Sequence, residues 1–74
     1  MLEFSEVTGK TFESEECVFF RNIFQCAFYL AHNCPVQDIF VDSEMRLVFV
    51  FKKDDHKKVL PLWMANKKSD KRRK

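Results

Sequence analysis

The sequence predicts a small single-domain α+β protein, ordered β-α-β-β-α, with an antiparallel hairpin or sheet packed by helices. Three observations carry that prediction. The 74 residues are 46% hydrophobic and 15% aromatic, too apolar for a disordered chain and short enough for a single core. Residues 15 to 32 place apolar side chains at helical spacing between capping signals. Two β-branched and aromatic runs flank the polar Asp42-Ser43-Glu44, the pattern of a hairpin.

Leu2-Glu3-Phe4-Ser5-Glu6-Val7 alternates apolar and polar like a half-buried strand, and Thr8-Gly9-Lys10-Thr11 reads as a turn. Ser14 is placed to cap a helix whose first turn holds Glu15 and Glu16, and Asn33 with Pro35 closes it, giving a helix over 15–32. Cys17-Val18-Phe19-Phe20 is β-prone, but propensity is a weak prior against caps and a sustained period. Projected at 100° per residue, Arg21, Gln25 and His32 form the polar side, and Phe19, Ile23, Cys26, Ala27 and Leu30 lie opposite, facing the core. Adding Cys17, Phe20, Phe24, Phe28 and Ala31 widens the apolar arc to roughly 200°, about twice what a core-facing stripe needs. Val36–Val41 and Met45–Phe51 form the hairpin. The second of these strands is apolar on both faces and belongs at the centre of a sheet. Asp54-Asp55 caps a last helix through Trp63 to Asn66, with Val59, Leu60, Trp63 and Met64 as its packing face and a kink or break expected at Pro61. The domain is read as residues 1–66, with 67–74 a basic, disordered tail.

One glycine, Gly9, leaves no room for a glycine-rich phosphate loop. The longest apolar run, Cys26–Ala31, is far short of the roughly 20 residues that cross a bilayer. There is no secretory-type start, so the expected setting is cytoplasmic and the cysteines are expected as free thiols. Cys26, His32 and Cys34 are close in sequence, yet Cys26 and His32 project about 120° apart on a helix. They lack the spacing of zinc ligands, so no metal or cofactor is expected. His32 with Cys34, or His56 with Asp54 and Asp55, are sequence neighbours and not residues converging from separate elements. No catalytic residue is assigned and no small-molecule substrate is expected.

Two binding surfaces are expected instead. The surplus apolar side chains of the first helix, Cys17, Phe24 and Phe28, point to a protein partner, either another protein or a second copy. Lys67, Lys68, Lys71, Arg72, Arg73 and Lys74 could neutralise nucleic-acid phosphates. Residues 1–66, however, carry seven Lys or Arg against ten Asp or Glu, a charge of −3, so the body would repel a phosphate backbone. A membrane-surface role is disfavoured because Pro61 interrupts the amphipathic helix it would need.

Ala27-Phe28-Tyr29-Leu30 on an apolar helix, a hairpin ending Val48-Phe49-Val50-Phe51, the acidic turn Asp54-Asp55 and the aromatic Trp63 together resemble a family of very small phage and bacterial proteins over residues 23–63. The resemblance implies a compact α+β fold and a phage-like setting, and it brings no functional residue. Cys34-Pro35, where a glycine would commonly end the helix, and the basic terminal run depart from that pattern. The expected function is that of a small non-enzymatic accessory or inhibitor protein that binds a protein partner, with nucleic-acid binding through the terminal run as the alternative.

Overall fold

The computed structural model describes the backbone of residues 1–72 and the side chains of residues 1–66. The amino-terminal segment is a hairpin in its own right. Strand β1 (Leu2–Phe4) pairs antiparallel with β2 (Thr11–Glu13). Between them, the Ser5 Oγ accepts from the amides of Val7 and Thr8, and the Gly9 amide donates to the Ser5 carbonyl at 2.9 Å. Gly9 closes the turn at φ +74°, a conformation that costs any residue with a Cβ.

After a 3₁₀ turn (Ser14–Glu16), the chain forms β3 (Cys17–Phe20), α1 (Ile23–Ala31), β4 (Val36–Val41), β5 (Leu47–Lys52) and α2 (Lys53–Arg72). The three longer strands make one antiparallel sheet in the order β3-β5-β4. The expected central strand is therefore central, and the α+β class holds.

The expected helix over 15–32 is corrected at its start. Ser14 opens only the 3₁₀ turn, and Cys-Val-Phe-Phe follows its β propensity because β5 offers a full set of backbone partners, with Val18 opposite Phe51 and Phe20 opposite Phe49. It is this segment, and not Leu2–Val7, that supplies the third strand. The true helix cap is Asn22, whose Oδ1 accepts from the amides of Phe24 and Gln25. The helix ends as expected at Asn33, which adopts φ +62°. The Cys34 amide bonds the Tyr29 carbonyl and the Asn33 amide that of Leu30, a Schellman closure with asparagine in the glycine position.

Two cores result. On one side of the sheet Cys26, Tyr29, Cys34, Phe51 and Val59 are buried, with Val18, Phe20, Phe28, Val36, Phe49 and Trp63 packed around them. On the other side Phe12 folds over Cys17 and Val50. The hairpin is held there by Ser5 Oγ donating to Asp38 Oδ1 (2.7 Å) and Thr8 Oγ1 donating to the Gln37 carbonyl (3.0 Å). Both bonds fall where β4 carries an irregularity between Val36 and Asp38, and the Thr8 bond occupies the carbonyl of Gln37, the residue that the strand register skips. Helix α2 runs through Pro61 without separating into two helices, with Asp54 and Asp55 in its first turn. The helix continues to Arg72, past the Asn66 where it was expected to end, and the side chains of the expected basic tail at 67–74 lie outside those described.

Candidate functional site

The outward side of α1 is defined by how the helix is rolled. Cys26 and Tyr29 are buried, and Gln25 and Phe28 are half-buried beside them. This side lies roughly 120° around the helix from the face that the sequence projection assigns to the core. The cause is a polar cluster. Tyr29 Oη accepts from Gln25 Nε2 at 3.1 Å and lies 2.8 Å from His56 Nδ1 on α2, so the phenol hydrogen is free for the neutral imidazole. Gln25 is drawn inward because its amide has a buried partner, which a projection of hydrophobicity does not register. Phe20 packs on both rings of the Tyr29–His56 pair, with centroids 5.7 and 5.2 Å away.

The consequence is an outward arc made of Leu30, Ile23, Ala27, Ala31 and Phe24, all exposed, with no polar side chain among them. They occupy about 120° of the helix surface. Phe24 is 76% exposed, the most of any phenylalanine in the chain. Phe24, expected as a surplus side chain of this helix, is exposed, whereas the two residues grouped with it lie elsewhere. Cys17 lies on β3 and is buried under Phe12 on the far side of the sheet, so it shares no face with α1. Phe28 is half-buried, stacked on His32 with centroids 4.0 Å apart and edge-on to Trp63 at 5.4 Å, so it seals the joint between α1 and α2. Ile23, Ala27 and Leu30 were expected in the core and are found outside. The signal that could have exposed this is the Tyr29–Gln25 spacing of four, which places a phenol and an amide on one side of a helix.

The other candidate groups do not converge. His32 caps the end of α1, with Nδ1 2.9 Å from the Phe28 carbonyl, whereas Cys34 is buried in the core. Burial pushes the Cys26 and Cys34 thiols up to about 11, and it raises Cys17 as well. All three are therefore protonated, unreactive packing groups at neutral pH. Among the described residues no group of three or more His, Cys, Asp or Glu side chains could hold a metal ion, and no helix is long and apolar enough to cross a membrane. The nucleic-acid candidates Lys67, Lys68, Lys71, Arg72, Arg73 and Lys74 lie outside the described side chains. No protein-family model matches the chain, and neither a curated protein nor a solved structure matches it. The resemblance to small phage and bacterial proteins therefore rests on the residues quoted for it alone.

Proposed function

We propose that this protein is a non-enzymatic accessory or inhibitor protein that binds a protein partner through the outward face of α1. The observation that supports the reading is the unbroken apolar arc of Ile23, Phe24, Ala27, Leu30 and Ala31 on a helix whose opposite side already supplies the core. Exposed aromatic and aliphatic groups on one helix face are the means by which a helix docks in a groove or against a second helix. Ala27 and Ala31 are small enough to let a partner backbone approach, and Phe24 and Leu30 stand on either side of them as anchors. A nine-residue helix is about 14 Å long, which places the contact at the small, reversible end of interface sizes.

A second copy is the occupant to test first. Sedimentation of the full chain from micromolar to millimolar concentration is expected to show reversible association that survives high salt. Phe24→Asp and Leu30→Asp are expected to abolish it while leaving the melting temperature within a few degrees, because neither side chain belongs to a core. If the parent chain stays monomeric throughout, the partner is a different protein. Unfolding of both variants would overturn the surface assignment.

The alternative, nucleic-acid binding, is supported by the six basic residues of 67–74 set against a body of charge −3. It requires an affinity that falls steeply with salt and that a chain ending at Asn66 loses.

A further inference from the structure

The face of the sheet that carries no helix forms a groove, separate from α1. Strand register places Phe19, Val50 and Asp38 in one row across β3, β5 and β4, with Phe40 beside Val48 in the next row. The rings of Phe19 and Phe40 arch over the central strand and meet edge to face, with centroids 6.4 Å apart at 70°. Beneath them Val48 and Val50 are buried, while the two rings stay 48% and 39% exposed. The hairpin supplies the other wall: Phe12 packs onto Val50, and Glu3, opposite Phe12 in the β1–β2 register, shares its side. Glu3, Phe12, Phe19, Asp38 and Phe40 together line one groove.

This combination of three aromatic rings and two carboxylates has a chemical meaning. Ring faces and carboxylates both attract cations, and the rings also accept the aliphatic stem that leads to the charge. Neither carboxylate forms an ion pair among the described residues. Asp38 spends one oxygen on structure, since Oδ1 accepts from Ser5 Oγ and from the Ile39 amide. Among the described residues no fully buried side-chain oxygen or nitrogen lacks a partner, so Asp38 Oδ2, which accepts no bond there, is not sealed from solvent. Glu3 is exposed, and its carboxylate forms no hydrogen bond among the described residues.

We infer that this groove binds an arginine or lysine side chain presented by a basic segment of a partner protein, the guanidinium or ammonium lying between Glu3 and Asp38 against the rings of Phe19 and Phe40. Charge complementarity selects this occupant, because the groove's only charged lining groups are two carboxylates, residues 1–66 sum to −3, and an anionic or purely apolar ligand would leave both carboxylates unpaired.

The test uses the full chain and a fluorescein-labelled hexa-arginine peptide, followed by anisotropy and by amide chemical shifts. The expected result is saturable binding with shifts centred on Phe12, Phe19, Asp38 and Phe40. Glu3→Gln and Phe40→Leu should each weaken binding at least fivefold, and Glu15→Gln, on the 3₁₀ turn outside the groove, should leave it unchanged. Equal weakening by Glu15→Gln would show general attraction to an acidic surface and overturn the site. Salt-sensitive self-association of the parent chain, lost in Glu3→Gln, would overturn the partner assignment in favour of the 67–74 segment of a second copy. Phe24→Asp leaves this groove intact, so failure of the α1 interface and failure of the groove are read separately.

Discussion

Tyr29 is the chain's only tyrosine, and its hydroxyl sits where a polar group must be satisfied or cost free energy. It takes a hydrogen from Gln25 and lies 2.8 Å from His56 Nδ1, to which it can give its own when the imidazole is neutral. Burial first, and the neighbouring positive charge of Lys57 second, hold His56 below the ordinary histidine range. The unfolded chain therefore takes up this proton before the folded one does. The contribution to stability is complete above about pH 6.5 and declines as pH falls through and below that value. Urea unfolding is expected to show a lower midpoint near pH 5 than at neutral pH, and His56→Gln is expected to remove most of that step. Not every residue has such an account. Met45 is 84% exposed and holds φ +63° after the turn that the Met45 amide closes on the Asp42 carbonyl, a place that favours glycine; nothing in the structure explains methionine there.

At the scale of elements, the sequence was most legible where one periodicity had no rival. The two-sided pattern of Leu47–Phe51 identified a central strand because only a central strand has neighbours on both edges and cover on both faces. The closing of α1 at Asn33 was readable from local chemistry, since an asparagine in the left-handed region and a proline two residues on leave the helix no continuation. Cys17–Phe20 was not, because a helical period can be traced through it. What decides its state is a long-range pairing with β5 that no window of adjacent residues contains. The roll of α1 was hidden for a related reason: a hydrogen bond to another helix outweighed the apolar count. Helix α2 carries an internal strain of its own. Pro61 cannot donate to the Lys57 carbonyl, and both residues are exposed, so the lost bond lies on the solvent side of the helix. Pro61→Ala restores the donor at an exposed site. It is expected to raise stability by about 1–2 kcal/mol, after allowing for the freer unfolded chain, as read from the urea midpoint.

The whole molecule is a sheet covered by helices on one side and by a six-residue hairpin framework on the other. A two-stranded hairpin has marginal stability alone. Its attachment through Ser5, which is buried and bonds Asp38 as well as two turn amides, therefore governs the second core. Ser5→Ala is expected to cost about 1–3 kcal/mol and to speed amide exchange within β1 and β2, around Phe12, well before that of Tyr29 and Phe51. Uniform acceleration would show that the molecule opens as one unit. The candidate surfaces were partly legible at this scale. Phe24 stood out as one aromatic too many for a small core, whereas the groove of Glu3, Phe12, Phe19, Asp38 and Phe40 joins four separate strands and has no signature along the chain.

The three buried cysteines give this architecture a chemical clock. Cys17 lies beneath the hairpin, and Cys26 and Cys34 lie beneath the helices. With each sulfur shielded and held protonated, an alkylating reagent can reach it only when the layer above it lifts. The order in which the three thiols are modified is thus the order in which the two sides of the sheet come open.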